Sequence, residues 1–151
     1  MDNKNIRSKI INWLNTNKIA FLRISIGIIF FWFGFLKYFS GLSPAEKFAI
    51  RTIDDLTFHL LPEKIIIYGL ATWEVLIGLG MLFNLFMKFT LIILFLHMIG
   101  TFTPLFLYTN EIFTVFPIAL KLEGQYIIKN LIIISAGIVI GCYYYVESKE
   151  K

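Results

Sequence analysis

The chain has 151 residues, of which 58% are apolar, 17% aromatic and 16% charged, with a net charge of +4 and a mean hydropathy of +0.75. Soluble domains average about 45–50% apolar and about 25% charged residues, so this composition excludes an ordinary water-soluble domain and points to a single integral membrane domain. The basic residues form no stripe with interleaved aromatics, which excludes a nucleic-acid surface, and the lone Cys142 excludes an internal disulfide or a Cys-x-x-Cys relay.

Residues 4–17 place Ile6, Ile10, Trp13 and Leu14 at helical spacing opposite Lys4, Arg7 and Lys9. That pattern predicts a short interfacial helix leading into the membrane, and it lacks the shape of a cleavable leader. A helix crosses a bilayer with roughly 17–25 mainly apolar residues. Four segments qualify, at about 19–39, 65–83, 89–108 and 126–146. The expected architecture is all-α: an integral membrane four-helix bundle over 19–146, an N-terminal segment 1–18, a tail 147–151 and a short amphipathic helix in the first outer loop.

That loop, about 40–64, carries Ser43-Pro44-Ala45-Glu46, a capping-box signature with proline at the first helical position. Ala45, Phe48, Ala49, Ile53, Leu56 and Leu60 then recur at helical spacing and stop before Pro62. A helix on the outer membrane surface follows, either a lid over the bundle or a cover for its lipid-facing ends. In the second outer loop, about 109–125, Ile112, Phe113, Val115 and Phe116 predict packing into the interface. Lys4, Arg7, Lys9, Lys18, Lys88, Lys149 and Lys151 lie on one side, against Lys47, Arg51, Lys64 and Lys121 on the other. Seven against four favours cytoplasmic N- and C-termini.

Ionisable groups at membrane depth are costly unless paired or hydrated, and they mark functional sites by default. On the first span Arg23, Gly27, Phe30, Gly34 and Lys37 share one helical face. The glycines argue for a helix contact there, so each cation either finds an internal partner or snorkels to headgroups. Glu74 is near the centre of the second span, with Ala71 and Gly78 on its face. It either pairs with Arg23, Lys37 or Lys129 or is protonated. His97 lies near the centre of the third span, as a packed core residue or a proton or quinone contact. Pro104 cannot donate to the Gly100 carbonyl, which predicts a free acceptor beside Thr101 and Thr103. The fourth span begins with Tyr126, Lys129 and Asn130 and carries Gly137-x-x-x-Gly141, a small-residue packing motif. No Walker loop, dinucleotide fingerprint, zinc cluster or GxSxG elbow is present.

Four stretches, taken in order, carry a resemblance. They are Phe21-Leu22-Arg23-Ile24-Ser25 through Gly34-Phe35-Leu36-Lys37-Tyr38; Trp73-Glu74-Val75-Leu76-Ile77-Gly78; the block from His97 to Leu105; and Leu122-Glu123-Gly124-Gln125-Tyr126 through Lys129-Asn130-Leu131. Over roughly 19–146 the chain resembles the DoxX-like membrane family and the related group of inner-membrane proteins linked to reactive-chlorine resistance. The resemblance implies a four-helix bundle in a bacterial inner membrane. Relatives include the membrane subunit of a thiosulfate:quinone oxidoreductase, and others tied to oxidative-stress or thiol-redox complexes. It adds Glu123 and Gln125 to the candidate residues. The chain has neither a cysteine pair nor an appended soluble domain, so a complete thiosulfate-oxidising enzyme is not expected.

The leading expectation is a quinone-linked membrane subunit of a redox or oxidative-stress system. Glu74 and His97 would move protons. Arg23, Lys37, Thr101, Thr103, Glu123, Gln125, Tyr126, Lys129 and Asn130 would bind the quinone, whose carbonyls need donors inside an apolar pocket. Quinone is the candidate cofactor, and no metal is expected. The expected partners are the lipid bilayer, a redox subunit and a second copy of the chain. Two alternatives stand beside it: a binder or permease for a small polar or anionic solute, and an assembly protein whose buried charges only fix the bundle.

Overall fold

A computed structural model describes residues 3–39, 41–43 and 46–147 of the chain. In chain order the elements are α1 (Asn3–Leu36), α2 (Glu46–Leu56), α3 (Glu63–Phe83), α4 (Met87–Phe102), α5 (Pro104–Leu107), α6 (Thr109–Ile112), β1 (Phe113–Val115), β2 (Ala119–Leu120), α7 (Leu122–Lys129) and α8 (Leu131–Glu147). Four helical stretches, Asn5–Leu36, Glu63–Phe83, Met87–Leu107 and Leu122–Val146, are long and apolar enough to cross a membrane. The protein is a multi-pass all-α membrane bundle. One end carries the short turn between α3 and α4; the other, the loop end, carries α2 and the β1–β2 hairpin.

α1 does not separate an interfacial helix from a spanning one. It runs unbroken from Asn3 to Leu36, because no proline or glycine interrupts it before Gly27 and its polar residues are helix-tolerant. At about 1.5 Å per residue it is far longer than the roughly 30 Å hydrocarbon layer. Its residues 5–16 are exposed beyond the bundle.

α1 and α3 touch backbone to backbone. A Cβ added at Gly78 would lie 2.4 Å from the Phe31 amide nitrogen, and one at Gly34 would lie 2.8 Å from the Glu74 Cβ. Glycine at these positions permits the approach. Ile77, Met81, Leu94 and Ile140 are fully buried where α3, α4 and α8 meet α1. Gly137 of α8 faces Leu94 and Phe95 of α4. Asn84 closes α3 in the left-handed region at φ 59°, which asparagine tolerates. The Tyr144 hydroxyl donates to the Asn84 side-chain oxygen at 2.5 Å and so ties α8 to that turn.

The third and fourth spans are each broken once. Pro104 ends α4, but the Gly100 carbonyl is not left free as expected: the Thr103 amide takes it at 3.2 Å in a tightened turn. The fourth span breaks at Asn130, whose amide bonds the Ile127 carbonyl at 3.0 Å before Ile134 resumes the helix. The second loop contains antiparallel strands β1 and β2, a feature the sequence did not announce. Tyr108, Ile112 and Ile127 form a small core beneath them. Of the capping box, Pro44 and Ala45 lie outside the described residues. The Glu46 carboxylate accepts the Gly41 amide at 3.1 Å.

Candidate functional site

Near the middle of the α3 and α4 spans, α3 and α4 each contribute one ionisable side chain to a cluster that Lys37, in the turn just after α1, completes. The Lys37 Nζ donates to the Glu74 Oε2 at 2.6 Å, and the two side chains are 6% and 10% exposed. The other carboxylate oxygen, Oε1, lies 3.5 Å from the His97 Nε2. The Lys37 ammonium also approaches the Phe33 carbonyl at 3.4 Å, and the Phe30 ring meets the His97 imidazole edge to face at 5.3 Å. Glu74 therefore bridges a cation and an imidazole. Gly34, one turn before Lys37, makes this geometry by admitting the Glu74 Cβ against the α1 backbone. A carboxylate between a proton donor and an imidazole can accept, hold or pass a proton without moving its backbone.

Arg23 does not join this cluster. Its Nη1 donates to the Met81 carbonyl and, at 3.0 Å, to the Leu82 carbonyl. Those carbonyls belong to the last turn of α3, where four acceptors lack helical partners and the helix dipole favours a cation. Of the three cations weighed for Glu74, only Lys37 touches it. Lys129 stands 5.0 Å over the Tyr126 ring, a cation–π contact. Glu123, Gln125, Tyr126 and Lys129 are exposed on α7, and the Gln125 amide bonds the Leu120 carbonyl at 3.3 Å. Asn130 marks the α7–α8 break. The Thr101 and Thr103 hydroxyls donate to the His97 and Ile99 carbonyls of their own helix, at 2.9 and 3.1 Å. Hydroxyls satisfied in this way are not aimed at a ligand.

A second polar network spans the loop end. The Arg51 Nη1 contacts both Glu111 carboxylate oxygens, at 2.9 and 2.8 Å, and the Arg51 guanidinium lies 4.3 Å over the Tyr108 ring. The Tyr108 hydroxyl donates to the Asp55 carboxylate. The hydrogen bond to Glu111 raises the Arg51 pKa above its ordinary value. The His59 Nδ1 meets the Asp54 carboxylate at 2.7 Å, a contact that raises the His59 pKa. Among the described residues, Asp54, Asp55 and His59 are the one group whose potential metal-ligand atoms lie within 4.8 Å of one another. They already bond each other on the exposed end of α2, and nothing further points to a metal there.

Two apolar grooves open on the flanks. One, of about 690 Å³, runs between α3 and α4 and is lined by Lys64, Tyr68, Thr72 and Trp73 with apolar neighbours. The other, of about 480 Å³, is lined by Phe95, Met98 and Phe102 among others. Sequence reasoning missed the first groove's polar residues. The Trp73 indole donates to the Ile93 carbonyl at 3.0 Å, and the Tyr38 hydroxyl meets the Thr72 Oγ1 at 2.7 Å. The available signal was adjacency: Trp73 precedes Glu74 and Tyr38 follows Lys37.

No curated protein and no solved structure matches the chain. The model of the DoxX family matches residues 19–109, more than half of the chain and the segment that supplies Lys37, Glu74 and His97. The chain belongs to the DoxX family.

Proposed function

We propose that the protein is the membrane subunit of a quinone-linked redox or oxidative-stress system, with Glu74 and His97 as its proton-handling pair and Lys37 as the cation that holds Glu74. A partner redox subunit supplies two electrons. Two protons enter through the cluster, and the quinone leaves as the quinol. The charge asymmetry of the loops favours cytoplasmic N- and C-termini, and the resemblance to the DoxX-like family implies a bacterial inner membrane.

The observation that carries this reading is the contact of one carboxylate on α3 with both a buried lysine just after α1 and a largely buried imidazole on α4. An ion pair that only fastened α1 to α3 would need no histidine from α4. The test is quinone reduction by the assembled complex in native membranes. General acid–base groups contribute about 10²–10⁴-fold, so Glu74→Gln is expected to slow turnover by about 100-fold or more per molecule of folded protein. Turnover at the wild-type rate would remove the proposed role.

One observation favours a second reading, that of a structural strut: Lys37 and Glu74 already satisfy each other at 2.6 Å. Replacing such a pair with apolar residues is often neutral or stabilising. A Lys37→Met/Glu74→Leu protein that kept full turnover would support the strut. The solute-binder reading needs Arg23, Lys37 and Lys129 around one anion. It is weakened because Arg23 holds the α3 carbonyls and Lys129 stacks on Tyr126.

A further inference from the structure

We propose that residues 5–18 of α1 form an amphipathic docking surface for an anionic lipid leaflet, on the side of the membrane that carries the α3–α4 turn. The segment bends outward from the bundle and lies along the headgroups.

Residues 5–16 run beyond the bundle and are exposed throughout. The bonds from Arg23 to the Met81 and Leu82 carbonyls set α1 level with the last turn of α3, which marks where the bundle ends. Beyond that level Ile6, Ile10, Trp13 and Leu14 are between 43% and 58% exposed. At about 3.6 residues per turn they form one stripe. A helix this short with such a face is marginal in water by itself, so something apolar covers it.

The continuation of the stripe identifies the cover. It runs on into Phe21 and Ile24, exposed on the side of α1 turned away from Gly27 and Gly34, which pack on α3. That side of the spanning half meets acyl chains. The Trp13 ring meets the Phe21 ring edge to face at 5.4 Å and joins the two halves. Because they share one face, an outward bend turns the N-terminal half of the stripe onto the bilayer, whereas an inward bend would turn it to water. The polar run Asn15-Thr16-Asn17 supplies the place to bend, since asparagine and threonine are weak helix formers. The Thr16 hydroxyl donates to the Asn12 carbonyl at 3.0 Å, and the Asn17 side-chain amide donates to the Trp13 carbonyl at 2.8 Å. Back-bonding of this kind weakens and bends helices.

Charge identifies the lipid. Arg7 and Lys18 flank the stripe on one side and Lys9 on the other, and all three are exposed. Long basic side chains in those positions reach headgroups while the stripe enters the acyl boundary. No Asp or Glu occurs between Asn3 and Ala45, and an anionic leaflet supplies the missing negative charge. A second copy does not. Copies in one membrane run parallel, and stripe against stripe would set Arg7, Lys9 and Lys18 beside their own counterparts with no acid to separate them.

The test uses the full chain in nanodiscs of phosphatidylcholine with and without phosphatidylglycerol. Nitroxide labels are attached one at a time through Leu14→Cys or Asn12→Cys in a Cys142→Ser background, and their depth is read from relaxation by oxygen and by an aqueous nickel chelate. The altered positions are exposed, so the bundle itself is left alone. With phosphatidylglycerol, the label replacing Leu14 is expected to be shielded from nickel and the label replacing Asn12 to stay accessible. Each cation near an anionic surface strengthens binding about fivefold, so Arg7→Gln/Lys9→Gln/Lys18→Gln should lower the ratio of docked to detached segment on the order of 100-fold. High salt should also return the Leu14 label to water. Nickel reaching that label in both lipids overturns the proposal. So does equal shielding with and without phosphatidylglycerol, which would make the contact one with acyl chains alone. Dipolar coupling between the labels of two copies overturns it in favour of a dimer seam, and shielding that appears only on adding soluble cell proteins overturns it in favour of a protein partner.

Discussion

Lys37 meets Glu74 at 2.6 Å between α1 and α3, and Arg51 meets Glu111 at 2.8 Å between α2 and α6. The contacts are alike in type and nearly alike in length. They differ in surroundings: the first pair is 6% and 10% exposed, the second 51% and 51%. Desolvating two ions costs several kcal/mol each, and only good mutual geometry offsets it. An exposed pair gives up little solvation and gains little, about 0–1 kcal/mol. Burial, not distance, decides which of the two the protein depends on. The loop-end network joins α2 to α6, whereas the buried pair joins the end of α1 to the middle of α3.

The largest expected effect comes from breaking the contact that creates the buried pair. Gly78→Leu drives a side chain into the Phe31 backbone, where even a Cβ would sit at 2.4 Å. Backbone cannot yield as a side chain can, so α1 and α3 must separate and the protein should fail to accumulate in membranes. Next is Lys37→Met, which leaves Glu74 without its cation. Removing one member of a buried pair costs about 3–5 kcal/mol, readable as a lowered thermal midpoint in detergent, and Lys37→Met/Glu74→Leu should recover most of the loss. Arg23→Met is smaller. It strips a charged donor from the last carbonyls of α3, worth about 1–3 kcal/mol, and should leave quinone turnover nearly intact. Arg51→Ala should cost about 1 kcal/mol or less, and raising the salt should shrink that difference further.

The smallest effect is a pH dependence at the loop end. The Asp54 contact raises the His59 pKa in the folded protein, so the folded state binds the proton more tightly than the unfolded one. The stabilisation is complete below the unfolded value of about 6.5 and fades as pH rises through the folded value. An NMR titration of His59 should show a raised midpoint that returns to the ordinary value in Asp54→Asn.

Much of the fold was legible because a bilayer imposes a length on apolar runs, and four such runs stand out in the sequence. Glu74 stood out for a related reason: a short carboxylate in mid-span has no route to water. Depth along a shared face was harder to read. Arg23 lies on α1 and Lys37 just past its end, and the fourteen positions between them span about 21 Å at about 1.5 Å per residue. One therefore reaches Glu74 and the other the end of α3. Arg23's partners are backbone carbonyls, which every sequence offers and none advertises. Thr101 and Thr103 looked like pocket donors until their own helix claimed both hydroxyls. The hairpin at Phe113–Leu120 is too short for a period-two pattern to emerge.

The most direct measurement is the infrared difference spectrum of the wild-type complex on reducing its quinone, with Glu74→Gln as the reference. If Glu74 passes protons, a carboxyl stretch appears or vanishes in step with quinone reduction and is missing from the variant. A spectrum whose carboxyl region does not change, with quinone fully reduced, would leave Glu74 as a strut between α1 and α3 and contradict the proposed function.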